Sequence, residues 1–134
     1  MAVTMSYPKP RSLLTKVIEI LRTDNATVKA WLPRGAIIMD VDVFQKVDAT
    51  TDAGGVDVGL NANGDAILDG FVMATTAVGL VKPGTTVGTA VMGAPLAADS
   101  AVTSTYIVGD STAGGTGLVA IHYILPGSGE VITS

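Results

Sequence analysis

Residues 31–44 read WLPRGAIIMDVDVF, and how this stretch is parsed decides the fold. Leu32-Pro33-Arg34-Gly35 reads as a four-residue turn. Pro33 fixes φ at its second position and Gly35 takes the fourth, as a type I turn prefers. Beyond the turn, Ile37, Met39, Val41 and Val43 fall on one face of an extended chain, and Ile38, Asp40, Asp42 and Phe44 on the other. Side chains alternate along a strand, so a dry and a wet face predict a half-buried antiparallel strand. Pro33 and Gly35 are structural residues in this reading.

Working toward the C-terminus, VDVGL (56–60) repeats the alternation and NANGD follows as a loop. AILDGFVMATTAVGLV has no clean period and reads as a short strand or turn of helix within a long connection. TTVGTAVMG (85–93) reads as a strand weakened by its glycine. TSTYIV (103–108) and LVAIHYIL (118–125) are the clearest late strands, joined by GDSTAGGTG and ended by Pro126-Gly127.

Toward the N-terminus, SLLTKVIEIL is ambiguous. Leu13, Leu14, Val17, Ile18 and Leu21 fit helical spacing, yet KVIEILR is rich in β-branched residues. A strand is preferred because RTDNAT and VKAWL follow at once, with Asp24-Asn25 as the turn of a hairpin. Pro8 and Pro10, around Lys9, favour an extended arm, assigned to residues 1–14. Seven or eight short strands without a long helix then make residues 15–134 a single all-β, antiparallel β-sandwich domain.

The bulk composition narrows the function. At 134 residues the chain is long enough for one domain with a real core. With no cysteine, disulfides and thiolate metal sites are excluded. No signal peptide is apparent, and the apolar run Gly70–Val81 is too short to span a bilayer, so a soluble chain with no membrane partner is expected. Charged residues make up only 15%, against about 25% in an average domain. Mean hydropathy is +0.49. A domain of this size cannot hide that much apolar sequence, which predicts a homo-oligomer.

Charge is also segregated. Residues 1–34 carry six cations (Lys9, Arg11, Lys16, Arg22, Lys29, Arg34) against two carboxylates, a net +4. The rest carries two cations against ten carboxylates, a net −8. An acidic body repels phosphates, so nucleic acid is not an expected partner. The basic end suits an acidic surface, with Lys9, Arg11, Lys16 and Arg22 as contacts and Leu13, Leu14, Val17 and Trp31 adding apolar area.

Catalytic patterns are weak. GDSTAGGTG (109–117) lacks the Lys-Ser/Thr ending of a phosphate loop and lies between strands. GLNANGD (59–65) resembles a calcium loop in placing Asn61, Asn63 and Gly64 at the third, fifth and sixth positions, but Gly59 and Gly70 occupy the first and twelfth, where side-chain oxygens are needed. Asp57, Asp65 and Asp69 leave a weak calcium site open. His122 is the single histidine, without a nucleophile elbow, and reads as half-buried and structural. Asp40 and Asp42 read as solvated. Six aromatics are thin for sugar stacking. No enzyme and no cofactor are expected.

LPRGAIIMDVDVF, VDVGLNANGDAI and GTGLVAIHYIL together resemble a group of tailed-phage virion proteins, the head decoration or cement proteins, over roughly residues 27–125. The shared pattern is a Leu-Pro-x-Gly-Ala-x-Ile corner, a Val-Gly segment with an Asp-containing loop, and a last strand ending near a Tyr. The resemblance implies a jelly-roll-like sandwich and a virion structural protein made in the host cytoplasm. That protein would bind the outer surface of the major capsid protein shell and stabilise it, usually as a symmetric oligomer, with a trimer expected here. The alternative is a carbohydrate- or receptor-binding module of a head or tail fibre.

Overall fold

The computed structural model describes residues 13–47, 55–72, 79–81, 83, 87–88, 91–107 and 116–125. Among them, eight strands follow in chain order: β1 (Leu14–Ile20), β2 (Thr27–Leu32), β3 (Ile37–Val47) and β4 (Gly55–Leu60), then β5 (Asn63–Val72), β6 (Gly79–Val81), β7 (Ser100–Ile107) and β8 (Thr116–Ile124). They form two four-stranded antiparallel sheets, β1-β8-β3-β6 and β2-β7-β4-β5, packed face to face. First pairs with last, second with seventh, third with sixth and fourth with fifth. A long hairpin rolled up on itself produces this order, which is a jelly roll. The all-β sandwich expected from the sequence is what forms.

Between the sheets lie Ile20, Leu32, Ile38, Val58, Leu68 and Ile121, all buried, with Gln45 buried among them. Each large aliphatic side chain contributes about 1.5–3 kcal/mol through burial. The ambiguous run 13–22 is strand over Leu14–Ile20, but it and VKAWL do not form a hairpin. β1 pairs with β8 in one sheet, and β2 with β7 in the other. Asp24-Asn25 does turn the chain, but it carries it across from sheet to sheet. Turn residues mark a reversal without saying which strands pair.

β3 departs from simple alternation. Its ladder to β8 skips a residue between Ile38 and Asp40, which leaves Met39 as a bulge. Ile38 and Val41 therefore both face the core, while Met39 and Asp40 both face out. Val41, Val43 and Gln45 then alternate inward, against Asp42 and Phe44 outward. Ile37 and Met39 are thus not on the core face the sequence pattern gave them.

The segment read as a long connection is largely strand. β5 runs ten residues, with Ala66, Ile67 and Leu68 buried in succession. Its period is broken by a bulge, because Val56 faces Phe71 but Val58 faces Leu68. Gly70 takes φ +66° there, and its N–H donates to Asp57 Oδ1 at 2.7 Å. A bulge of this kind wants a glycine in the left-handed region. The expected strand over 85–93 reduces, among its described residues, to isolated bridges at Val87 and Met92. Residues 109–115 of the GDSTAGGTG loop lie outside the described residues, as does Val108 before it.

The corner after Leu32 is displaced by one residue from its sequence reading. Ala36 N–H donates to Pro33 O at 3.1 Å, so the turn is Pro33–Ala36. Gly35 takes its third position at φ +85°, where a type II turn demands a glycine. Gly35 N–H also donates to Leu96 O, and Leu96 N–H to Ala36 O. Gly35→Val is expected to cost about 1–3 kcal/mol. Backbone strain is the cause, since an added Cβ meets nothing within 4 Å. Thermal melting followed by circular dichroism checks this, and an unmoved midpoint removes the strained turn.

Candidate functional site

One end of the sandwich gathers the start of β1, the end of β2, the Pro33–Ala36 corner and the end of β8. A cleft of about 370 Å³ opens there, lined by Lys16, Trp31, Leu32, Pro33, Asp99 and Tyr123. Leu14 lies opposite Tyr123 in the β1–β8 ladder. Lys16 follows the same inward alternation as the buried Ile18 and Ile20, but sits where the core runs out. Trp31 is 58% exposed and so belongs to the surface, not the core. Asp99 is fixed by accepting the Arg34 N–H at 2.8 Å. The cleft thus offers an aromatic face, an ammonium and a carboxylate.

The outer face of the β1-β8-β3-β6 sheet is the second feature. Leu118 lies beside Phe44 and Phe44 beside Leu80, with Val17 beside Ala120 one row away. Val17, Phe44 and Leu80 are all exposed. Apolar side chains in adjacent rows make a contiguous patch, which is the usual mark of a docking surface.

On the same face, three strands are tied by side chains. His122 Nε2 lies 2.9 Å from Asp42 Oδ2, and Nδ1 lies 2.9 Å from Thr15 Oγ1. A carboxylate only accepts, so Nε2 carries a proton, and in the neutral ring Nδ1 accepts from the hydroxyl. Asp42 is therefore not the free solvated carboxylate expected from its strand position. The partners lie 107 and 80 residues from His122 in sequence, so only the strand register reveals them. This chain of groups lies outside the cleft. Among the described residues no cluster of three His, Asp or Glu is placed to hold a metal ion. Asp57 is instead engaged with the Gly70 N–H.

The structure brings together only some of the contacts expected from the sequence. Leu14, Lys16, Trp31 and Pro33 share the cleft end. Leu13 and Val17 are exposed along β1. Arg22 lies at the far end of β1, its guanidinium 5.5 Å from the Tyr106 ring centroid, a cation–π distance. Lys29 is spent on buried Asp24 at 2.7 Å, and Lys46 reaches Glu19 at 3.7 Å. Lys9 and Arg11 lie outside the described residues. Asp99 is a cleft residue that no sequence motif singles out, and Tyr123 stands out only as the tyrosine near the end of the last strand.

No protein-family model and no curated protein matches the chain. Its structure is similar to a chain of the cyanophage Pam1 capsid asymmetric unit. The TM-score is 0.59 at 17% identity, over 93% of this chain and 94% of that one. At that identity the likeness is one of fold, and it extends over almost the whole of both chains.

Proposed function

We propose that the chain is a phage virion structural protein that binds the outside of the major capsid shell and stabilises it, as a homo-oligomer and most simply a trimer. The observation that carries this reading is the likeness in fold, over 93% of this chain, to a chain of a phage capsid asymmetric unit. Fold alone does not give function. The exposed patch around Phe44 and Leu80 supplies the apolar area that shell binding needs. Lys16 and the exposed Arg34 supply cation, and Lys9 and Arg11 precede β1 in the sequence.

Co-sedimentation with shells assembled from the major capsid protein encoded alongside the chain tests the proposal. Bound protein is expected to fall between about 0.05 M and about 0.5 M salt without vanishing, as screening weakens the ionic share but not the apolar one. Reversing charge with Lys9→Glu and Arg11→Glu is expected to weaken binding roughly threefold to tenfold. Failure to sediment with shells even at low salt overturns the reading.

The cleft favours a second reading. An exposed Trp31 beside Asp99 and Lys16 suits a sugar ring stacked on the indole with hydroxyls on the charged groups. A glycan array separates the two. Glycan binding abolished by Trp31→Ala, with no binding to shells, selects the fibre module.

A further inference from the structure

Among the described residues, Lys16, Arg22 and Lys29 are the half-buried Lys and Arg side chains, and two of them are engaged. Lys29 is paired with Asp24, and Arg22 lies over the Tyr106 ring. Lys16 lines the end cleft, and among the described residues no carboxylate comes within ion-pair distance of its ammonium. Asp99 lines the same cleft without reaching it, and its Oδ1 is committed to the Arg34 N–H. A half-buried ammonium has lost part of its hydration, so an unpaired one gains from an incoming anion.

The rest of the lining narrows what that anion belongs to. Leu32 and Tyr123 are buried and form the floor. Trp31 is exposed beside them and offers a flat face on which a ring can stack. The Asp99 carboxylate only accepts, so it calls for hydroxyl or N–H donors. A ligand that suits all three carries one negative charge, hydroxyl donors and a ring with an apolar face. A phosphate brings no ring, and its second charge is repelled by Asp99. A simple carboxylate brings neither ring nor donors. A neutral sugar brings both but leaves Lys16 unpaired.

We propose that the cleft binds a pyranose that carries a carboxylate, a hexuronic acid residue of an acidic polysaccharide. The carboxylate pairs with Lys16, the ring stacks on Trp31, and hydroxyls donate to Asp99. This deepens the glycan reading of the cleft and rests on it, and it does not require shell binding.

Trp31 is the only tryptophan in the chain, so intrinsic tryptophan fluorescence reports on the cleft alone. Titrating the full chain with galacturonate and with glucuronate is expected to give a saturable change with at least one of them. Their carboxyl methyl esters keep the ring and the hydroxyls but lose the charge, and should bind roughly tenfold more weakly. Lys16→Gln, checked for an unchanged circular dichroism spectrum, should bring acid binding down to the level of the ester. The ester comparison needs no variant, so it stands even if Lys16→Gln fails to fold. Equal binding of acid and ester overturns the proposal and leaves the cleft a general sugar site. Acid binding that survives Lys16→Gln unaltered overturns it as well. No binding of either acid or either ester overturns the proposal and the glycan reading together.

Discussion

Asp24→Ala is expected to destabilise the sandwich by about 3–5 kcal/mol, because it strands a largely buried ammonium. The Asp24 side chain is 3% exposed, and that of Lys29 is 14% exposed. Asp24 Oδ1 lies 2.7 Å from Lys29 Nζ, and Oδ2 accepts the Leu21 N–H at 2.9 Å. The Asp24 backbone also donates to Leu21 O and accepts the Tyr106 N–H, both at 3.0 Å. One residue thus closes the β1–β2 turn on Leu21 and fastens it to β2 and β7 of one sheet. The bulge in β2 at Lys29 re-aims that side chain back toward the turn. Alanine keeps the backbone bonds but leaves the ammonium and the Leu21 N–H without their partner. Asp24→Asn retains an acceptor and should lose only about 1–2 kcal/mol. Lys29→Met in the Asp24→Ala background should recover part of the loss, since the two residues act as one unit. Urea unfolding followed by circular dichroism reads all three. An Asp24→Ala variant within about 0.5 kcal/mol of the parent ends this account of the turn.

The same turn shows what local sequence carries and what it omits. Asp24-Asn25 announces a reversal, and a reversal between two β-rich runs reads naturally as a hairpin. Only the pairing of the first strand with the last, more than 100 residues away, sends β1 and β2 into different sheets. LVAIHYIL was legible because its burial alternates along β8, whereas TSTYIV, on a strand buried over Ser100–Ser104, was legible from its β-branched and aromatic content. β5 was not, because the Gly70 bulge breaks its period and Ala66, Ile67 and Leu68 are all covered. The candidate site was legible in the same partial way. Charge pointed to residues 1–34, but could not show that Lys29 and Arg22 are engaged by Asp24 and Tyr106. Thr15, Asp42 and His122 had no motif to join them. Their contact depends on a register set by strands from three separate parts of the chain.

Gly59→Ala is expected to cost about 3 kcal/mol or more, the upper range for forcing atoms into a packed site. The β4–β5 hairpin folds back over Gly59 so closely that an added Cβ would land on the Asn63 carbonyl oxygen and the Gly64 backbone. These are main-chain atoms, so no rotamer change relieves the overlap, and the hairpin itself would have to move. It is not free to do so. Asn61 N–H donates to Ala101 O at 2.8 Å, and Asn61 Oδ1 accepts the Ala101 N–H at 3.0 Å, clamping the turn onto β7. Asn61 also holds φ +53°, a left-handed conformation that a small polar residue tolerates. Relieving the overlap therefore means breaking that clamp or opening the β4–β7 ladder beneath it. Gly64→Ala, five residues away on the same hairpin, is the control. An added Cβ there meets nothing within 4 Å, so its effect should stay within about 0.5 kcal/mol. In a domain of this size the Gly59 variant should melt roughly 10 °C or more below the Gly64 variant. Equal melting temperatures would show that the hairpin yields freely, and that the Asn61 clamp does not hold it against β7.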